Sequence, residues 1–337
     1  MNHREQTGPS LNRAYRGAKR KILVADLLCG AGGSSTGCAR ALHEFGPRDG
    51  ARVRQSLAAR DRNAQEEPSR GAVQDIGTVR PHLLVQEGYL DLLMASPTCT
   101  HHSVARGGKP TSDQQRSDPW HIITWLTELR VKRLIVENVW EFKDWGPVDR
   151  RTGKPVKSRK GEYFMAWINA IRALGFDPEW RKLNAADYGD ATTRQRFILM
   201  ARSDRKRVAW PMPTHARSTG DKLELFSGMK PWRPARDIID WSIKGRSIYD
   251  RKKPLAEATL TRIPAGAVKF NWPEPFIVTL RNHMTAQGID LPLPTIAANG
   301  KHIGLAEPFL VKQHFRRDAQ SVLRWHFFCS RGGRASQ

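Results

Sequence analysis

Four short stretches hold the residues whose types and spacing suit chemistry. In "DLLMASPTCTHHS", Asp91 to Ser103, an apolar run ends on Cys99, behind Pro97 and between two threonines. In "IVENVW" a second apolar run gives way to a loop at Glu137. In "LNAADYGDATTRQRF" Arg194 and Arg196 alternate ahead of a third. Near the N-terminus, "DLLCGAGGSSTGC" sets Gly30, Gly32, Gly33 and Gly37 just after a strand ending at Asp26. A thiol at the mouth of a strand faces a cleft, and once ionised it is a nucleophile. A carboxylate there is costly unless paired or used, because burial disfavours its charged form. Two arginines at i and i+2 on extended chain point one way. A glycine turn lets backbone N–H groups approach a ligand.

Each feature also has a plainer reading. Cysteines beside strands are commonly core, Glu137 suits a helix cap or a salt bridge, and the arginines suit a solvated basic edge. The glycine turn alone fits a strand–helix junction without ligand, or a nicotinamide, flavin or S-adenosylmethionine fold. His101 and His102 beside Cys99 invite a metal, but adjacent histidines point apart on extended chain and no further ligand lies nearby, so no metal is expected. The four cysteines, Cys29, Cys38, Cys99 and Cys329, show neither CxxC spacing nor a small disulfide framework, which predicts free thiols in a reducing, cytoplasmic compartment.

The elements that must position these groups alternate. "KILVADLL" reads as a buried strand, followed by a glycine turn and a helix with Cys38, Leu42 and Phe45 on one face. "LDLLMASP", "RLIVENVW" and "RFILMAR" read as further strands, and "DPWHIITWLTELR" and "YFMAWINAIRALG" as helices. This predicts an α/β fold with a doubly wound, mostly parallel sheet, whose ligands bind beyond the carboxyl ends of the strands. After about residue 205 prolines multiply and long helical patterns vanish, which predicts a smaller, irregular, strand-rich region. "EPFIV" at Glu274–Val278 returns as "EPFLV" at Glu307–Val311, either as two similar strand units or as padding. No run approaches the roughly 18 apolar residues of a membrane span. The 337 residues hold 56 Lys+Arg against 33 Asp+Glu, a net charge of +23, which favours a polyanionic partner.

Taken together, and in this order, the four stretches resemble the motifs of the DNA cytosine-5 methyltransferases. "DLLCGAGGSSTG" resembles the S-adenosylmethionine loop, "SPTCTHHS" the proline–cysteine nucleophile motif, "ENV" the glutamate motif and "LNAADYGDATTRQR" the paired-arginine motif. "ASPTCTHHS" itself is similar to phage-like and bacterial members. The resemblance covers roughly residues 21 to 311. It implies that Cys99 adds to C6 of a flipped cytosine in double-stranded DNA, that Glu137 holds the N3 and amino edge, and that Arg194 and Arg196 orient the base and the Cys99 region. It implies S-adenosyl-L-methionine as cofactor, held by Asp26, Leu28, Gly30, Gly32, Gly33, Asp75 and Pro97. A monomer near the nucleoid is expected. Major-groove contacts from the region beyond 205 would set specificity.

The expected division is a basic lead-in at 1–20, a catalytic domain at 21–204, a target-recognition region at 205–311 and a tail at 312–337. Leu28 stands where the family has an aromatic, Thr98 where it has a proline, and Thr100 and Thr192 where it has glutamines. Residues 48–72 are polar with no strand period, where the family supplies a strand and a ribose contact. A one-base shift of a suitable back-translation there gives a peptide resembling the subfamily, so the segment reads as out of frame, with a genuine polar insertion as the alternative. The gene's nucleotide sequence decides between them. Beyond "EPFLVK" the family's closing motifs do not appear, and the chain reads as truncated. Two other classes follow from the same residues. One is a catalytically inactive DNA-binding remnant, marked by salt-dependent binding without methyl transfer. The other is a nicotinamide-linked oxidoreductase, which needs an acid at the end of the next strand. Asp61 lies near that distance but in no recognisable strand.

Overall fold

The computed structural model describes residues 22–30, 32–45, 76, 80–98, 117–149, 151–217, 228–243, 246–247, 254–271, 274–280, 285–296, 302–309 and 326–331. Cys99, Asp75, His101, His102 and the segment 48–72 lie outside them. Two compact units emerge, Met1–Lys182 with Arg196–Ala209, and Leu183–Gln195 with Trp210–Gln337.

In the first unit, strand β1 (Val24–Leu27) is buried at every residue, which is why its sequence is a continuous apolar run rather than an alternation. Glycines then turn the chain into helix α1 (Gly33–Phe45). A short helix α2 (Pro81–Leu84) and strand β2 (Tyr89–Leu90) lead to β3 (Leu92–Ala95). Helix α3 (Asp118–Glu128) and strand β4 (Arg130–Val131) precede β5 (Arg133–Asn138). Helix α4 (Glu162–Ala173), β6 (Glu179–Asn184) and β7 (Gln195–Arg202) follow. The central sheet has the order β1-β3-β5-β7-β6. β1, β3 and β5 are parallel, each link between them carrying the helix that a parallel crossover needs. The fold is α/β and its sheet mostly parallel, as the alternating pattern predicts. β7 departs from it, running antiparallel to β5. Between β6 and β7 the only helical piece is a 3-10 turn at Ala185–Tyr188, so no crossover helix intervenes.

Helices α3 and α4 lay Ile122, Trp125 and Leu126, and Phe164, Trp167, Ile168 and Ile171, into the core against Leu93, Leu134 and Leu199. Phe142 is the hub of an aromatic cluster, with ring centroids 5.5 Å from Trp167 and Phe197, 5.6 Å from Phe164 and 5.8 Å from Trp145. It sits on a 3-10 turn, Trp140–Asp144, directly after β5. That burial fixes the path the chain takes as it leaves Glu137.

The second unit pairs β8 (His215–Ala216) with β9 (Lys230–Pro231). It also builds a five-stranded sheet from β10 (Arg246–Ser247), β11 (Phe276–Thr279), β12 (Gln287–Gly288), β13 (Ile303–Phe309) and β14 (His326–Arg331). The order is β10-β14-β13-β11-β12, with every neighbouring pair antiparallel. β11 is buried on both faces: Phe276 and Val278 join one apolar cluster and Ile277 another. The repeated "EPF" stretches are not equivalent, since the first enters β11 and the second ends β13. Contrary to the expectation that long helices vanish here, α5 (Glu257–Lys269) is 13 residues long. It carries Pro264 within it, and Thr259, Ile263 and Gly266 are its buried face. Gly266 is small because a Cβ there would overlap the Phe276 ring.

Candidate active site

The site is assembled by register. Leu27 of β1 pairs with Ala95 of β3, and Ala95 with Val136 of β5. The glycine turn, the Pro97 segment and Glu137 therefore all leave the sheet at its carboxyl edge, where open α/β sheets hold ligands.

The glycine turn begins on strain. Leu28 has φ 57°, followed by Gly30 at 55° and Gly32 at 81°. For a leucine that conformation costs about 1–2 kcal/mol; its side chain packs against the core, which offsets the cost. The Gly32 N–H donates to the Cys29 carbonyl at 2.9 Å, closing the turn. Asp26, only 4% exposed, reaches up from β1, and its Oδ2 accepts hydrogen bonds from the Ser34 and Ser35 hydroxyls, both 2.6 Å. The start of α1 is thereby tied to β1. Asp26 Oδ1 is buried with no hydrogen-bond partner among the described residues. A Cβ placed on Gly30, Gly32 or Gly33 would meet nothing within 4 Å among the described residues. An open glycine cradle over a partly unsatisfied buried carboxylate suits a cationic ligand such as S-adenosyl-L-methionine, so the residues present fit that group.

The Pro97 segment is clasped from two sides. Asn138, fully buried at the end of β5, donates from Nδ2 to the Pro97 carbonyl at 3.0 Å and accepts from the Val139 N–H at 2.8 Å. The Thr98 hydroxyl donates to the Asp118 carboxylate at the start of α3. Thr98, standing where the family has a proline, thus acquires an anchor of its own. Cys99 follows at once in sequence.

Glu137 is half-buried and paired: Arg196 Nε lies 2.9 Å from its Oε1, with side-chain exposures of 18% for Arg196 and 33% for Glu137. Arg194 falls in the second unit. Its Nη1 donates to the Ile296 carbonyl at 3.1 Å, in a segment stitched further by Thr193 N to Leu293 O at 2.8 Å and Leu293 N to Ala191 O at 2.7 Å. The two arginines thus have different partners, and only Arg196 lies on β7.

Of the sequence-predicted residues, Asp26, Leu28, Gly30, Gly32, Gly33, Pro97, Glu137 and Arg196 belong to the first unit, while Cys99 and Asp75 lie outside the described residues. The anchors Ser34, Ser35, Asp118 and Asn138 were missed. For Asn138 a signal existed, since a buried amide beside a strand-end glutamate has to find partners. Cys38 is half-buried on α1, and burial together with the nearby Asp26 charge pushes its thiol above its ordinary value. It is a poor nucleophile at neutral pH. No cluster of three metal-ligating side chains occurs among the described residues, and none of their helices is long and apolar enough to cross a membrane.

A family model described as C-5 cytosine-specific DNA methylase matches residues 22–230. The type II methyltransferase M.Sau3AI of Staphylococcus aureus is 31% identical over 159 residues, 46% of this chain and 35% of that protein. The type II methyltransferase M.NaeI of Lentzea aerocolonigenes is 27% identical over 240 residues, 68% of this chain and 51% of that protein. The matched part of the chain thus spans between about a third and about half of these curated relatives. A crystal structure of a Spodoptera frugiperda DNMT2 mutant aligns at 14% identity over 74% of this chain and 80% of that one, with a TM-score of 0.45.

Proposed function

The chain belongs to the C-5 cytosine-specific DNA methylase family, and from that premise we propose that it transfers a methyl group from S-adenosyl-L-methionine to C5 of a cytosine flipped out of double-stranded DNA. The observation that carries this reading is the common carboxyl edge. There the Asp26–glycine cradle, the clasped Pro97–Thr98 segment and the Glu137–Arg196 pair leave three adjacent, register-locked strands.

The chain's own residues divide the work. The glycine turn over Asp26, whose carboxylate Ser34 and Ser35 fix, would hold the cofactor, which when bound would supply an electrophilic methyl group on a sulfonium sulfur. The Cys99 thiolate forms a bond to C6 of the flipped base as the C5–C6 π bond breaks, and its electron pair moves onto C5, delocalised toward C4–N3, making C5 nucleophilic. Glu137, held by Arg196, binds the N3 and amino edge and stabilises the charge developing there. The nucleophilic C5 so generated would be placed to accept the methyl group that the bound cofactor would supply. Transfer of the C5 proton to a water molecule as base returns an electron pair that expels the Cys99 sulfur from C6 as thiolate, so atoms and charge balance. Asn138 and Asp118 fix the backbone from which Cys99 extends. Asp75 and Arg194 complete the proposed cofactor and base contacts. Residues 205–311 form the target-recognition region in this reading.

The test is incubation of the full chain with methyl-labelled S-adenosyl-L-methionine and genomic duplex DNA, followed by nucleoside analysis. Label in 5-methylcytosine is the expected product. Label in another nucleoside overturns the reading. Retained, salt-sensitive DNA binding with no label supports a DNA-binding protein without transfer.

A further inference from the structure

The excursion between β5 and α4 is a strongly cationic feature of the first unit that the site does not use. From Pro147 to Lys160 it holds six cations, Arg150, Arg151, Lys154, Lys157, Arg159 and Lys160, against a single acid, Asp149.

The segment is a built hairpin. Val148 and Pro155 form an antiparallel bridge. Asp149 N donates to the Lys154 carbonyl at 2.9 Å, and Val156 N to the Pro147 carbonyl at 3.0 Å. The one acid is engaged by the turn itself, its Oδ1 accepting from the Arg151 and Thr152 N–H groups at 2.8 and 2.9 Å. The base of the hairpin is fastened too. Gly161 N donates to the Asp144 carbonyl at 3.2 Å, and Lys160 Nζ lies 3.0 Å from Asp144 Oδ2. A Cβ on Gly146 would overlap the Arg159 carbonyl, so the two stems meet too closely for any other residue. Arg159 is occupied by Glu162, Nε to Oε2 at 2.7 Å. Arg150 lies outside the described residues; of the rest, Arg151, Lys154 and Lys157 are exposed and without an acidic partner among the described residues.

An ordered turn that spends its only carboxylate on its own backbone and turns three unpaired cations to solvent is a surface for a polyanion. Its position names the polyanion. The hairpin departs from the carboxyl end of β5, the edge that carries Glu137, through the turn anchored by Phe142. Resting on the reading that this edge acts on duplex DNA, we propose that the Pro147–Lys160 hairpin grips the phosphate backbone of that duplex through Arg151, Lys154 and Lys157. Contacts of this kind position the duplex and carry no base information.

The fold supplies an internal control. Asn138 at the end of β5 pairs with Phe197, and Arg133 at its start pairs with Arg202. The exposed triad Arg205, Lys206 and Arg207 therefore leaves β7 at the opposite edge of the sheet, with the same three charges.

The experiment measures affinity of the full chain for mixed-sequence duplex DNA across a salt series. It compares the parent, the triple variant Arg151→Ala, Lys154→Ala, Lys157→Ala, and the triple variant Arg205→Ala, Lys206→Ala, Arg207→Ala. Each lost phosphate contact flattens the slope of log affinity against log salt by about 0.9. The hairpin variant is expected to flatten it by roughly 2–3, and the control variant to keep the parental slope. Because all six side chains are exposed, unchanged circular dichroism and melting are expected for both. An unaltered slope in the hairpin variant, or equal flattening in the two, overturns the surface while leaving the proposed activity standing. A parent chain without salt-dependent duplex binding overturns both.

Discussion

Glu137 and Arg196 are diagonal neighbours across antiparallel strands. Glu137 of β5 lies opposite Ile198 of β7, and Arg196, two residues before Ile198 on the same face, closes an ion pair of 2.9 Å. The pair exists because β7 runs against β5. Its first residues therefore arrive at the carboxyl edge of the parallel strands, where Glu137 also ends. This antiparallel strand thus brings a cation to the site.

Removing that cation separates orientation from binding. In Arg196→Ala the Glu137 carboxylate loses the group that holds it, and a small misplacement of a catalytic group costs about a hundredfold. Turnover is expected to fall about that far, with duplex affinity changed only by the loss of one charge. Arg196→Lys restores charge without the planar donor fork and is expected to rescue only part of it. Single-turnover methyl transfer beside equilibrium binding makes the measurement; equal loss in both variants and both assays would contradict the orienting role.

The glycine cradle allows a variant that separates folding from cofactor binding. Gly33 opens α1, and a Cβ there meets nothing within 4 Å among the described residues. Gly33→Ala is expected to leave the fold unharmed or to stabilise it by up to about 1 kcal/mol, since alanine is the better helix former. The added methyl group would occupy the space assigned to S-adenosyl-L-methionine. Calorimetric titration should show at least tenfold weaker cofactor binding beside an undiminished melting temperature. Unchanged binding would move the cofactor off this turn.

Asn138 couples stability to the position of the Pro97–Thr98 segment. Truncating this buried amide to alanine orphans the Pro97 carbonyl and the Val139 N–H, each costing about 1–3 kcal/mol. A lower denaturation midpoint in urea is expected. Asn138→Asp keeps the acceptor for Val139 but turns a carboxylate oxygen toward the Pro97 carbonyl, and should lose as much. If both variants melt like the parent, the clasp is not a support.

Cys38 carries the pH dependence. Its thiol is held above 9.0 in the folded chain by burial and by the Asp26 charge. Above pH 9 the unfolded chain releases this proton while the folded chain keeps it. The stabilisation is therefore full below pH 9 and is lost as pH rises through the folded value. At neutral pH iodoacetamide should label Cys38 slowly, as followed by peptide mapping. Cys38→Ser should soften the stability loss above pH 9. Rapid labelling at pH 7 would contradict the burial argument.

How much of this was legible in the sequence depends on whether a residue's role is local. Buried parallel strands announce themselves as unbroken apolar runs, so β1, β3 and β5 and their edge residues could be placed without coordinates. Glu137 and Pro97 were legible because each ends such a run. Asn138 and Asp118 were not, because their significance lies in partners 41 and 20 residues away. The direction of β7 was hidden for a similar reason, since a strand's apolar pattern is the same whichever way it runs. Helix α5 was missed because prolines multiply in this part of the sequence, yet Pro264 lies inside the helix and Gly266 is demanded by the Phe276 ring packed on it. The hairpin at 147–160 looks in sequence like an ordinary charge run, and only its bridge and its engaged Asp149 mark it as built.

Covalent trapping tests the central claim, that Cys99 is the nucleophile of a cytosine-5 methyl transfer. Duplex DNA of mixed sequence carrying 5-fluorocytosine is incubated with the full chain and S-adenosyl-L-methionine, and denaturing electrophoresis looks for a protein–DNA adduct. Fluorine at C5 cannot leave as a proton does, so the sulfur–C6 bond persists. An adduct that needs the cofactor and disappears in Cys99→Ala is the expected result. An adduct that survives Cys99→Ala, or none from a folded chain that binds both the duplex and the cofactor, would contradict it.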